Sequence, residues 1–193
     1  MWFYHIYLIG RVKTKYYFLE KWVCMETYKT LRQIIDGTLS GALSEEECYR
    51  QLVRHVAHKL EATRVSIWYF HDNEKAIAKV YYEAPTQGYT YGQSIEKQQC
   101  MDFFTLLSAG ANISIPDVHS YYLLKSINLT SVMSPDLRSL FVVPIRYRSK
   151  SIGFISSEHI DQKELKYSEI SYLETIVSMV THLLYNIRHS NPL

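Results

Sequence analysis

Few residues in this chain have the type and spacing that catalysis or metal binding requires. His55 and His58 fall on one face of a predicted helix, but a zinc site needs further ligands and none lies nearby in the sequence. Cys100 shares a helix face with Phe103 and Phe104, which favours a buried, unreactive thiol. The sequence contains no nucleophile elbow, phosphate-binding loop or zinc-protease motif. We therefore expect a protein without catalytic activity, and a redox enzyme that uses Cys100 is the alternative.

Two segments place polar residues where a predicted strand ends, and either could contribute to a binding site. In Ile115-Pro-Asp-Val-His119 a strand breaks into an irregular segment, so that Asp117 either caps a turn or orients a ligand. In Ser156-Ser-Glu-His159 a strongly apolar strand becomes polar at its end. That change indicates either a strand that reaches solvent or a polar anchor within an apolar pocket.

The composition is that of a globular protein. The 193 residues are 47% hydrophobic and 21% charged, which excludes a disordered or collagen-like chain. A formal net charge of +2 gives no reason to expect nucleic acid or a membrane surface as a partner. The three cysteines are an odd number without close spacing, which argues against a disulfide scaffold or a structural zinc site. We therefore expect a reduced, cytoplasmic protein.

The first 24 residues are interpreted as an extension of a domain that spans residues 25–193. The apolar run at residues 1–9 is shorter than the roughly 20 residues of a membrane-spanning helix. Positive charges follow this run instead of preceding it, unlike the order in a secretory signal. The extension is either an extra strand or helix docked on the domain, or upstream sequence translated ahead of a natural start at Met25.

Hydrophobic periodicity predicts an α+β fold, with helices at both ends and an antiparallel sheet between them. A helix from Met25 is followed by a second helix, which opens at the capping box Ser44-Glu-Glu-Glu47. Runs of β-branched and aromatic residues then predict a hairpin of two strands. This first hairpin covers 64–70 and 75–83, and it is followed by a helix (97–109), a short strand (113–115), an irregular segment (117–135), a second hairpin (137–158) and a long helix (168–187).

Three pieces of this pattern resemble the GAF domain, a small-molecule sensing and dimerising module of signalling proteins. They are residues 65–70 after a capped helix, residues 113–118, and above all the hairpin from Leu137 to His159. The hairpin is the most specific of the three, with its Val-Pro-Ile strand, short polar turn and Ile-Gly strand. The resemblance covers roughly residues 25–188.

The resemblance implies a central antiparallel six-stranded sheet, with the N- and C-terminal helices on one face and a ligand pocket on the other. The helix at 97–109 and the segment at 116–136 would roof this pocket.

The chain departs from family members whose ligands are known. It has no cysteine within 117–136, where phytochrome-like members attach a bilin, and it lacks the N-K-x-F-x-D-E pattern of cyclic-nucleotide-binding members. The cofactor, if there is one, therefore stays unassigned.

Period-two alternation assigns pocket residues on the strands. The sets that carry serine and aromatic residues are given to the pocket, and the more uniformly apolar sets to the face that packs against the helices. Two residues are added for the roof, two for the mouth and two for a polar wall. The predicted ligand-binding residues are Ser66, Trp68, Phe70, Ser139, Phe141 and Val143 on the strands, Phe103 and Phe104 in the roof, Asp117 and Tyr122 at the mouth, and Ser156 and Glu158 in the wall.

Together these features predict a non-catalytic sensory or regulatory domain. Its expected partners are an unidentified small-molecule ligand, a second copy of the chain, and an output domain or partner signalling protein. The homodimer is expected because the apolar stripe at 170–187 is wide and has Tyr172, Met179 and Tyr185 beside it. The alternative is a dimerisation or interaction module with an empty pocket.

Overall fold

The computed structural model describes residues 28–120 and 134–190, with side chains as far as residue 183. The predicted extension at 1–24 lies outside these residues, as do Tyr122 and the side chain of Tyr185. Within the described ranges, no helix is both long and apolar enough to cross a membrane.

Four α-helices lie in the described part of the chain. The second of them begins where the capping motif predicts, because the Ser44 hydroxyl accepts a hydrogen bond from the Glu47 amide at 3.1 Å. A short 3₁₀ turn, Lys97–Gln99, precedes the third. The helices are α1 (residues 28–39), α2 (Glu45–Leu60), α3 (Met101–Ser108) and α4 (Tyr167–Ser190).

Seven antiparallel strands form one sheet among the described residues, in the order β3-β2-β1-β7-β6-β5, with β4 paired to β2. Because β3 and β4 pair with opposite ends of β2, they share one edge position and the sheet is six strands wide. The α+β class and the antiparallel sheet are as predicted, although the strand count is one higher. The strands are β1 (Arg64–Phe70), β2 (Lys75–Glu83), β3 (Gly88–Thr90), β4 (Ser94–Glu96), β5 (Ile113–Ile115), β6 (Ser139–Tyr147) and β7 (Lys150–His159).

The two faces of the sheet carry separate hydrophobic cores. The helix-side core joins the sheet to α1, α2 and α4, and includes Ile67 and Ile155 from the central strands. The far-side core lies under α3 and includes Trp68, Phe154 and Phe103. Since each core takes alternate residues of the same strands, the sheet is covered on both faces, as the sequence predicts for the terminal helices and the 97–109 helix.

The predicted orientation of β6 is wrong. Phe141 and Val143 belong to the helix-side core, whereas Leu140 and Val142 belong to the far-side core. Ser139 stands two residues before Phe141 and is therefore on the same side of β6 as Phe141 and Val143. Its hydroxyl donates to the Asp161 carbonyl at 2.8 Å instead of facing the predicted pocket. The cause is register, because a shift of one residue exchanges the faces. Pairing sets Val143 opposite Ile155, whose other neighbour Ile67 also faces the helices.

A tight approach between β1 and β7 gives a test of this packing. A Cβ added to Gly153 would lie 2.1 Å from the Trp68 carbonyl oxygen and 2.9 Å from the Tyr69 Cα, so the backbones of the two strands would have to move apart. We expect Gly153→Ala to lower the free energy of unfolding by about 3 kcal/mol or more, as strong overpacking does. Urea denaturation followed by circular dichroism measures this loss.

The matched control is Gly88→Ala, whose added Cβ would approach only the Thr86 side chain, at 3.0 Å. We expect this variant to lose far less stability, because a side chain on an exposed turn can move aside. Equal effects of the two replacements would contradict the close approach of β1 and β7.

Candidate functional site

A row of buried polar side chains crosses the far face of the sheet. The hydroxyls of Ser66 and Ser156, which are opposite residues on β1 and β7, lie 2.5 Å apart. The Trp68 indole Nε1 donates to the Ser66 hydroxyl at 2.6 Å. The sequence predicted all three as pocket residues, and the structure brings them together. Their hydrogen bonds are internal, so this row orients the Trp68 ring from below.

An aromatic cluster covers this row from the side of α3. Phe154 of β7 stacks on Trp68 with ring centroids 5.6 Å apart, and Phe103 meets Phe154 edge-on at 5.5 Å. The ring centroids of Phe70 and Phe104 lie 5.6 Å apart. The predicted roof residues Phe103 and Phe104 are thus packed directly against the sheet, in arrangements that aromatic pairs favour.

Farther along the same face lies a charged group that we call the Glu158 cluster: Arg64, Tyr81 and Glu158. Arg64 is the register partner of Glu158 across β1 and β7. The Tyr81 hydroxyl donates to Glu158 Oε2 at 3.4 Å, close to the outer limit of a hydrogen bond. Glu158 Oε1 and Arg64 Nη1 are buried, and neither has a hydrogen-bond partner among the described atoms.

The Glu158 carboxyl is fully covered. Burial raises its pKa to about 7, because the charged form loses its hydration, while the nearby Arg64 guanidinium and the Tyr81 hydroxyl act in the opposite direction. A carboxyl of this kind is part protonated and part ionised near neutral pH. It can therefore accept or release a proton when its surroundings change.

Arg64 joins this cluster to two further carboxylates. Its Nη2 lies 2.9 Å from Asp136 Oδ2, and its Nε lies 3.3 Å from Glu83 Oε1. Hydrogen bonds from Arg64 and from the Ser134 hydroxyl lower the pKa of Asp136 to about 2. Asp136 is thus firmly ionised at neutral pH, whereas Glu158 is close to its midpoint.

An open cleft of about 620 Å³ reaches the Glu158 cluster from the surface; we call it the Arg64 cleft. Arg64 and Tyr81 line this cleft, whereas Glu158, which the Tyr81 hydroxyl contacts, does not. The β2–β3 turn and the loop before β6 also line this cleft. The described lining residues are Arg64, Tyr81, Glu83, Thr86, Gly88, Tyr89, Thr90, Gln93, Ser134, Pro135 and Asp136.

The structure places the other predicted residues differently. Both carboxylate oxygens of Asp117 face the Arg138 guanidinium, at 2.9 Å from Nε and 3.1 Å from Nη2, and Oδ1 also accepts from the His119 amide. These contacts are those of a residue that fixes a turn, which was one of the two interpretations of the sequence. Ser139, Phe141 and Val143 lie on the helix side of the sheet, away from the Arg64 cleft.

Arg64, Tyr81 and Asp136 were missed by the sequence reasoning. Arg64 had a usable signal, because it stands two residues before Ser66 and therefore shares its face. A lone cation at the start of an apolar strand also needs a partner. Tyr81 and Asp136 had no such signal, since their positions depend on the register of β2 and on the path of a loop.

No cluster of three possible metal ligands occurs in residues 28–120 and 134–190. His55 instead lies beside the Tyr172 ring, with ring centroids 6.2 Å apart. Its pKa is lowered by burial and by the neighbouring charges of His58 and Lys59. The ring contact and the lowered pKa are those of a histidine at the edge of a core.

The chain is similar to a known family. The model of the GAF domain matches residues 44–183. The phycocyanobilin-bound GAF domain of a cyanobacterial phytochrome superimposes with a TM-score of 0.72 at 17% identity, over 86% of this chain and 98% of that one. The GAF domain of an Acinetobacter phosphoenolpyruvate-protein phosphotransferase gives 0.66 at 15% identity, over 86% and 96%. No protein of curated function shows significant sequence similarity to this chain.

The raised pKa of Glu158 predicts a specific pH dependence of stability. Between its usual pKa of 4.5 and about 7, the folded state keeps a proton that the unfolded chain has released. Stability is therefore lost as the pH rises through this window. Glu158→Gln cannot ionise, so we expect it to gain about 3 kcal/mol relative to the natural chain between pH 4.5 and pH 7.5, at about 1.36 kcal/mol per pKa unit.

The measurement is urea denaturation of both proteins across this range. Burial also lowers the pKa of His159 to about 4, which gives the opposite slope, but this contribution cancels in the difference between the two proteins. A difference that stays constant from pH 4.5 to pH 7.5 would contradict the assignment of Glu158 as a buried, poorly paired carboxyl.

Proposed function

We propose that this chain, which belongs to the GAF domain family, is a sensory or regulatory module that binds a small molecule at the Arg64 cleft. The observation that carries the proposal is the unused hydrogen-bonding capacity of the Glu158 cluster. Glu158 Oε1 and Arg64 Nη1 are buried beside a cleft and lack partners among the described atoms.

Such atoms are unusual in a folded protein. More than nine in ten buried polar groups have a hydrogen-bond partner, and each one that lacks it costs about 1–3 kcal/mol or more if charged. A ligand that supplies the missing partners recovers this free energy on binding. The same cluster would thus be unfavourable in the free protein and favourable in the complex.

Of the predicted binding residues, Glu158 would contact the ligand directly. Ser66, Ser156 and Trp68 are hydrogen-bonded to one another on the same face of the sheet, but they do not line the Arg64 cleft. Phe70, Phe103 and Phe104 do not line it either. Ser139, Phe141 and Val143 have no part in it, because they face the terminal helices.

The proposal does not include catalysis. A cysteine nucleophile must be a thiolate that its substrate can reach. Cys100 is 1% exposed, and burial raises its pKa to about 12, so the thiol stays protonated and covered. These properties weigh against the alternative of a redox enzyme that uses Cys100.

Similar structures support a ligand site on this fold. One of them is described as bound to phycocyanobilin. This chain has no cysteine within 117–136, where the family resemblance would place the attachment of a bilin. We therefore propose a ligand that is held without a covalent bond, and an output domain or partner signalling protein that receives the signal.

The direct test is a thermal-shift screen of amino acids, 2-oxo acids, cyclic nucleotides, bilins and haem. A compound at 100 times its dissociation constant stabilises the folded state by about 2.7 kcal/mol. For a domain of this size, that raises the melting temperature by about 5–10 °C. We expect at least one class to give such a shift.

The shift should disappear in Thr90→Trp, which fills the cleft from the exposed edge strand β3, opposite Tyr81. It should persist in Thr105→Trp, an exposed threonine of α3 that does not line the cleft. A screen without any shift, or a shift that survives Thr90→Trp, would contradict ligand binding at this cleft.

The homodimer through the terminal helices stays a prediction. Leu173, Ile176 and Val180 of α4 are buried in the helix-side core, and Tyr172 and Met179 pack against the same core. The described apolar side chains of α4 are thus largely used within the domain. We propose that the dimer uses the groove between α1 and α4, which is lined by residues such as Arg32, Asp36 and His182.

Light scattering at tens of micromolar measures the mass of the particle. A dimer that dissociates in Asp36→Lys would support the prediction, because this change places a new positive charge in the groove. A monomer at these concentrations would contradict it.

A further inference from the structure

We infer that the ligand is a small zwitterion, which presents a protonated amine to Glu158 and a neighbouring carboxylate to Arg64, as an α-amino acid does. This inference rests on the proposed function and names the class of ligand. It follows from three observations: the unpartnered atoms, the balance of charge and the spacing of the two side chains.

The two unpartnered atoms require opposite chemistry. Glu158 Oε1 is an acceptor and needs a donor, whereas Arg64 Nη1 is a donor and needs an acceptor. A single ligand satisfies both only if it carries donor and acceptor groups close together. Hydrogen bonds in which both partners are charged are the strongest of this kind.

The charge of the site favours a ligand with a positive group. Arg64 is the only cation among the described lining residues, and Glu83 and Asp136 already pair with it. Ionised Glu158 is thus a third carboxylate around one guanidinium. A ligand ammonium would pair with Glu158, the carboxylate that has no cation of its own, while a ligand anion alone would add to the excess of negative charge.

The spacing favours a small ligand. Arg64 and Glu158 stand directly opposite each other on adjacent antiparallel strands, where side chains begin about 4.5–5.5 Å apart. A molecule whose amine and carboxylate share one carbon atom can span neighbouring groups of this kind. A molecule with widely separated charges cannot meet both at once.

Tyr81 provides the route to Glu158. It lines the cleft, and its hydroxyl makes the long 3.4 Å contact to Glu158 Oε2. Since Glu158 is fully covered, the ligand reaches its free oxygen only when Tyr81 turns aside. Little is lost when Tyr81 leaves Oε2, because that hydrogen bond is long. An ammonium carries three donors, so one group can bind Oε1 and also replace the Tyr81 hydroxyl at Oε2.

Protonation of Glu158 would weaken this complex. The charged or titratable groups that face it are Arg64 from β1, Tyr81 from β2 and Asp136 from the loop before β6. Because its pKa lies near 7, lowering the pH from 8 to 5.5 converts Glu158 to the neutral acid. We expect the affinity to fall roughly 10- to 30-fold over this range.

The test is isothermal calorimetry on the full chain at pH 8, with three matched sets of compounds. The first set is L-alanine, L-leucine and L-phenylalanine. The second contains the amines that lack their carboxylate, and the third contains the acids that lack their amine. We expect at least one amino acid to bind at least 10-fold more tightly than its matched amine and its matched acid.

Two variants locate the effect. Glu158→Gln keeps the shape of the side chain and should weaken amino acid binding at least 10-fold. Lys59→Gln removes an exposed ammonium of α2 that lies outside the Arg64 cleft, and should leave binding unchanged. Circular dichroism and the melting temperature show whether each variant is folded.

The outcomes separate this inference from the proposed function. If the amines or the acids bind as tightly as the amino acids, or if Glu158→Gln binds equally well, the inferred class is wrong. If none of the three sets binds but another compound binds and is excluded by Thr90→Trp, the class is wrong and the proposed function stands. If nothing binds in either experiment, both are wrong.

Discussion

The antiparallel pairing of β1 with β7 is the constraint on which the rest of the structure depends. It joins the two halves of the sheet, because β2 and its edge strands extend from β1 while β6 and β5 extend from β7. Its register sets Ile67 beside Ile155 under the helices and Ser66 beside Ser156 on the far face. On the same far face, two residues before Ser66 and two after Ser156, the register sets Arg64 opposite Glu158. The cores and the candidate site therefore follow from a single alignment of two strands.

This alignment places a fully buried carboxyl beside a guanidinium that is itself only 8% exposed. Burial of a charged group is unfavourable unless partners replace its hydration. Among the described atoms, Glu158 Oε2 has only the long hydrogen bond from Tyr81, and Oε1 has none. Well-packed apolar residues at such a place are often equally stabilising or more so. Departures of this kind from the best packing are typical of functional sites, and this is the physical reason for locating function at the Arg64 cleft.

Much of the fold could be predicted from the sequence. Helix periodicity, the Ser44 cap and the two hairpins were sufficient for the α+β class, and the resemblance carried by residues 137–159 identified the family. Alternation placed Trp68 on the far face but gave no register for β6, so Phe141 was assigned to the wrong side. The cleft could not be predicted, because Tyr81 and Asp136 reach Arg64 through pairing and loop geometry that leave no local pattern.

The central claim is that Glu158 is buried with an unsatisfied oxygen at a ligand site. The most direct measurement is the titration of its side-chain carboxyl by ¹³C nuclear magnetic resonance, assigned by comparison with Glu158→Gln. The structure predicts a midpoint near pH 7, caused by burial, and a fall in this midpoint when the ammonium group of a ligand binds beside the carboxylate. A midpoint near the usual value of 4.5, unchanged by any ligand, would show that Glu158 is solvated or fully paired and would contradict the account.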